Sequence, residues 1–160
     1  FTGLRVGMAA ANGLALAAAI PCIGVTVFES IRASLPDEPI AIVQDAKRNE
    51  IWMQVFGQDG PLAPTALPPG HAAAAIPENV STLAGSGAAL VQAAAIEIGR
   101  GDFKLMDNTS SPTVESLAAA CFAARDRDQA VRPLYLRAPD AKPQADVVLA
   151  GVVKAATGAA

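Results

Sequence analysis

The sequence predicts an α/β domain, and three observations carry that reading. Strand-like and helix-like runs alternate along the chain rather than falling into separate blocks. Two β-rich runs, "IAIVQDA" and "EIWMQVFG", are separated only by the short polar "KRNE", the pattern of an antiparallel hairpin. A third run, "STLAGSG", passes through a Gly turn straight into the helix-patterned "AALVQAAAIEIG".

Taken in order, Thr2 can cap an opening helix that runs to about Ala19, and Pro21 stops it. "CIGVTVF" then reads as a short buried strand, apolar on both faces, and "FESIRASL" as a helix. "LPDEP" is polar and bounded by prolines, a candidate hinge. The hairpin follows. "QDGPLAPTALPPGH" reads as loop and turn, with a short helix at "AAAAIP". After the Gly turn and its helix, "FKLMDN" is a short extended piece. "SPTVESLAAACFAARD" is a helix with Ser111 as N-cap and Pro112 at its first position. "RPLYLRAPDAKP" is extended, and the tail "QADVVLAGVVKAATGAA" is either a short apolar helix or loose chain.

At 160 residues the chain suits one domain or two small lobes, long enough to bury a core. Apolar residues make up 52% but aromatic ones only 4%, so the core is aliphatic and rich in Ala. The net charge is −3 and the 12 basic residues are scattered, which argues against nucleic-acid binding by this chain alone. Cys22 and Cys121 stand far apart in apolar stretches and read as buried free thiols of a reducing compartment. The run from Val6 to Phe28 is almost uncharged, but Gly13, Pro21 and Gly24 interrupt it, which disfavours a transmembrane segment.

Several residue sets could carry function. In the opening helix Gly3, Gly7 and Ala11 recur at helical spacing and offer a smooth side suited to close packing. Arg5, Met8, Asn12 and Leu16 form a second stripe of adaptable contact residues. That stripe either docks a partner or serves packing within the domain. Gly85, Ser86 and Gly87 form a turn between a strand and a helix start, where free N–H groups could meet a phosphate. No third Gly or Walker Lys follows, so a plain tight turn is the competing reading. Asp45, Lys47, Arg48 and Glu50 cluster at the hairpin tip, either as an acid–base set or as a solvated turn. His71 is the one His, placed in a surface loop, and a lone His cannot build a His-pair metal site. The alternating charges of "ARDRDQ" suit a solvated helix end.

Four segments in order carry a family resemblance. "FTGLRVGMAAANGLALAAAIPCIGVTVFES" resembles the TsaB (YeaZ) family of tRNA threonylcarbamoyladenosine biosynthesis, related to the TsaD/glycoprotease (peptidase M22-like) proteins. "IVQDAKRNEIWMQVF" is similar to that family's hairpin, with Asp45, Ala46, Lys47 and Glu50 in register; Lys47 stands where Arg is usual and Trp52 where Tyr is common. "LAGSGA" is similar to its strand-to-helix turn, and "RPLYLRAPDAKP" to its closing P-x-YLR segment. The family's opening strands and first helix do not appear in this sequence.

The resemblance implies an actin-like ATPase fold, of the ribonuclease H-like kind, with an incomplete first lobe. Residues 1–36 would be the remainder of that lobe, 37–137 the second lobe and 138–160 a tail. It implies a non-catalytic scaffold that binds and activates a TsaD-like catalytic paralogue, with a TsaE-like ATPase reached through the complex and a homodimer as another assembly. ATP and metal would sit on those partners, no cofactor would be held tightly by this chain, and tRNA would be met only through the complex. The place would be the cytoplasm, with no membrane contact. The competing expectation is a small actin-like ATPase or degenerate peptidase homologue acting alone, with Gly85–Gly87 beside its nucleotide.

Overall fold

The computed structural model describes residues 2–127 and 131–137. The hairpin is its centre. β1 (Ile40–Asp45) and β2 (Ile51–Gly57) pair antiparallel from Ile40 opposite Phe56 to Asp45 opposite Ile51. On its other side β1 pairs parallel with β5 (Thr82–Ala84), and β5 with β6 (Lys104–Leu105). The outer side of β2 carries two short strands, β3 (Gly60–Pro61) and β4 (Thr65–Leu67). Among the described residues these six strands form one mixed sheet.

Alternation along β1 divides the core between the two faces. Ala41 and Val43 join Met53, Val55 and Leu83 beneath α3 (Pro69–Ala75) and α4 (Ala88–Glu97). Ile40 and Ile42 point the other way, to Phe28 and Ile31 of α2 (Val27–Arg32). α5 (Val114–Ala123) packs on α2 over that second face. The sheet is therefore covered on both sides. Each fully buried Ile or Leu contributes about 1.5–3 kcal/mol of transfer free energy, and Ile40, Ile42, Ile51 and Leu83 are all completely enclosed.

α1 (Thr2–Ala18) is the exception, since only Ala15 of its residues is buried. It ends in a Schellman arrangement, Ile20 N–H donating to Ala15 C=O and Ala19 N–H to Leu16 C=O, with Ala19 in the left-handed region at φ 54°.

Four expectations need correction. "CIGVTVF" is not a strand: residues 20–26 have no regular structure and Val27 and Phe28 begin α2. A strand exists by pairing, and no described segment pairs with this run. A capping box decides the matter instead, Thr26 Oγ1 accepting from Glu29 N–H at 3.1 Å and Thr26 N–H donating to the Glu29 carboxylate at 2.7 Å. The "QDGPLAPTALPPGH" loop holds β3 and β4, because the far edge of β2 offers unpaired backbone groups to whatever chain lies beside it. α5 is capped by Thr113, in a reciprocal pair with Ser116, rather than by Ser111. The two thiols are free but only half-buried. The tail from residue 138 onward lies outside the described residues.

Candidate functional site

β1 and β5 run parallel, so their carboxyl ends lie side by side, the end of an open α/β sheet where ligands usually bind. Here the turn that leaves β5 at that end is closed by the chain itself. Gly85, at φ 103°, turns the chain out of β5, and Gly87 is the N-cap of α4. Gly85 N–H donates to Thr109 Oγ1 at 2.8 Å, Gly87 N–H to Val43 C=O at 3.0 Å, and Ala88 N–H to Gly85 C=O at 3.1 Å. Ser86 Oγ donates to Gln44 Oε1 at 2.7 Å and accepts from Asp45 N–H at 3.1 Å.

The glycines answer to the same neighbour. A Cβ on Gly85 would lie 2.2 Å from Val43 O, and one on Gly87 would lie 3.0 Å from Ile51 Cδ1 and 3.1 Å from Asp45 N. The space that a phosphate cradle keeps open for its ligand is filled here by the backbone of β1. These residues do not fit a phosphate held by the turn, and the arrangement favours the structural reading of Gly85–Ser86–Gly87.

The charged hairpin tip is held by local pairs and by Arg137. Asp45 holds Lys47 in an ion pair of 2.6 Å and accepts from its N–H at 2.8 Å. Those hydrogen bonds, the Lys47 side chain's first and its backbone's next, lower the Asp45 carboxyl below its ordinary range. Glu50 accepts from Trp52 Nε1 at 3.0 Å and pairs with Arg137 at 3.0 Å. Lys47, Arg48 and Asn49 all take positive φ, at 62°, 56° and 59°. His71 is exposed, in the first turn of α3 rather than in a loop. No three His, Cys, Asp or Glu side chains among the described residues gather as metal ligands.

A groove of about 800 Å³ lies between α1, residues 24–29, the end of β1 and residues 131–136. Leu4, Met8, Val25, Trp52 and Leu134 give it an apolar lining. Its polar part includes Gln44, Asp45 and Arg132, and Glu29 and Arg127, which an ion pair joins. Partial burial pushes the Glu29 carboxyl up, but the Arg127 side chain and the Thr26 backbone and hydroxyl together bring it below its ordinary value.

The groove shows how α1 is turned, and it splits the stripe expected to be left for a partner. Met8 is half-buried on the groove, and Arg5 Nε donates to the Tyr135 hydroxyl at 2.8 Å. Asn12 is exposed and bonds its own helix at Met8 C=O, 3.0 Å away. Leu16 is 85% exposed. On the side expected to pack internally, a Cβ on Gly3 or Gly7 would find nothing within 4 Å, and Ala11 is exposed. The close-packing role of Gly3, Gly7 and Ala11 within the chain is thus corrected. The cause is non-local: Arg5 is drawn by Tyr135, 130 positions away, which helical periodicity cannot reveal. Glu29, Tyr135 and Arg137 escaped the sequence reading, although the last two lie in the quoted P-x-YLR segment, and Arg127 entered it only as part of the solvated "ARDRDQ" helix end.

A family model described as "TsaD: tRNA N6-adenosine threonylcarbamoyltransferase" matches residues 1–158. The chain is 35% identical over 153 residues to uncharacterised proteins of Mycobacterium tuberculosis and Mycobacterium bovis, covering 91% of this chain and 63% of each relative. It therefore spans less than two thirds of those relatives. Among solved structures it is similar to a Pseudomonas aeruginosa protein described as resembling peptidase YEAZ, with 25% identity and a TM-score of 0.60 over 86% of this chain and 68% of that one. YeaZ from the same organism gives 24% identity and a TM-score of 0.58 over 77% of this chain and 61% of the other, a likeness of fold.

Proposed function

The chain belongs to the TsaD family, as a YeaZ (TsaB)-like member with the actin-like ATPase fold, and from that premise we propose that it serves tRNA threonylcarbamoyladenosine synthesis as a non-catalytic scaffold. It would hold a TsaD-like paralogue while that partner transfers the threonylcarbamoyl group to adenine N6. A TsaE-like ATPase, ATP, metal and tRNA would all be engaged through the assembly.

The observation that carries this reading is the outward side of α1. Gly3, Val6, Gly7, Ala10, Gly13 and Leu14 lie there, with Val6 63% and Leu14 73% exposed. Small residues let another helix approach closely, and they lose little side-chain entropy on docking. An apolar helix face left in water is the usual mark of an interaction surface. Asn12 and Leu16 of the anticipated partner stripe would flank this contact, while Arg5 and Met8 would support it from behind. The closed Gly85–Gly87 turn supports the same reading over an independent ATPase.

Two measurements test it. Leu14→Glu should leave the thermal midpoint nearly unchanged, since the side chain is exposed, and should abolish co-purification of the TsaD-like paralogue by placing an unpaired charge in the contact. Nucleotide titration of the chain alone should give no saturable binding. Wild-type capture by Leu14→Glu, or tight ATP binding with turnover by the isolated chain, would sink the scaffold reading.

A further inference from the structure

We infer that residues 131–137 act as a strap that holds α1 in its pose against the rest of the molecule. The segment makes ties to separate parts of the structure. At its start, the Val131 side chain lies so close to Gly24 that a Cβ there would sit 3.2 Å from Val131 Cγ1. Tyr135 then reaches α1, its hydroxyl accepting from Arg5 Nε at 2.8 Å and its ring centroid 5.6 Å from the guanidinium carbon. Leu136 packs against the cluster of Phe28, Ile31, Ile40 and Ile42. Arg137 turns back to the hairpin tip. It donates to Glu50 Oε2 at 3.1 Å and to Ala46 C=O at 3.4 Å.

The segment's last three residues have different tasks. Leu136 anchors the segment in the core. Arg137 fixes it to a carboxylate that Trp52 already holds in place from the sheet. Tyr135, between those two fixed points and α1, transmits their position to the helix. α1 needs such a tie because burial does little to hold it, with Ala15 its one buried residue. A helix with so little buried surface owes its orientation to a few specific contacts, and the Arg5–Tyr135 pair is one that it makes far along the chain. The Tyr and Arg of the P-x-YLR segment are therefore positioning residues for the opening helix.

The test is hydrogen–deuterium exchange of the full chain, wild type against Tyr135→Ala, Arg137→Ala and Arg137→Lys. Exchange in residues 2–18 should quicken by about tenfold in both alanine variants, the effect of losing a charge-assisted hydrogen bond. Arg137→Lys, which keeps the charge beside Glu50, should recover part of that protection. Strands β1 and β2 should keep wild-type exchange throughout. Unchanged exchange in α1 would overturn the strap. So would equal quickening across the sheet, which would make the segment ordinary core packing. The strap's use for partner docking rests on the scaffold reading above. A loosened α1 that still captured the TsaD-like paralogue as the wild type does would leave the strap standing and count against the docking face.

Discussion

Replacing Gly85 by Ala puts the closed turn to a direct test. At φ 103° an L-residue is strained at the outset, by about 1–3 kcal/mol. The new methyl would also lie 2.2 Å from Val43 O and 3.0 Å from Gln44 Nε2. Val43 O cannot simply retreat, because it accepts the Gly87 N–H that starts α4. Forcing the two strand ends apart adds an overpacking cost of about 1–3 kcal/mol. A midrange total of about 4 kcal/mol lowers the thermal midpoint by roughly 8–16 °C for a chain of this size. Thermal unfolding followed by circular dichroism measures it, with the urea midpoint as a second probe. If Gly85→Ala unfolds within a degree or so of the wild type, the turn is not pressed against β1. Its N–H groups would then be available to a ligand, and the structural reading of Gly85–Ser86–Gly87 would fail.

Gly7→Ala should do the reverse, stabilising α1 by about 0.5–1 kcal/mol because Ala is the better helix former and the new methyl meets open space; a fall in the thermal midpoint would show that this side is packed after all. Acid should weaken the fold partly through Glu29. Its folded pKa is depressed, so the stability from its ionised form is fully present above its ordinary value of 4.5 and is lost as pH falls through the lower folded value. Urea midpoints measured from pH 6 down to pH 3, points chosen to bracket that value, should therefore fall less steeply in Glu29→Gln than in the wild type, and parallel slopes would remove Glu29 from the account. The effect should be small, since Arg127 is half exposed and its pair is screened by solvent.

What could be read from the sequence was what neighbouring residues decide. Ile40 to Val43 and Ile51 to Val55 carry enough β-branched and apolar surface to declare a hairpin, and the β5–turn–α4 step declares itself through Gly85 and Gly87. Local chemistry that competes with a pattern was harder to see. Val25, Val27 and Phe28 look like strand until the Thr26–Glu29 capping box is weighed against them. Strands β3 and β4 carry almost no pattern of their own and exist because β2 has an open side. The site suffered most, since its geometry rests on distant pairs. Periodicity set Gly3 and Gly7 apart from Arg5 and Met8 but grouped the exposed Asn12 and Leu16 with that second pair, because what faces inward depends on Tyr135 and the groove, and no window of a dozen residues contains both.

Among the described residues the sheet also stops abruptly at its margins. Its outer strands β3, β4 and β6 have only two or three residues each; β3 bears Pro61, which lacks an N–H, and β6 bears Lys104, whose charge resists burial. A strand from another molecule finds little there to template against, because short margins marked by Pro and Lys are how natural sheets discourage edge-to-edge growth. Crowded copies of this chain would therefore meet through side chains on helices, where contacts are discrete and saturable, and not through open-ended backbone ladders. Concentrated solutions should yield defined oligomers in preference to fibrils.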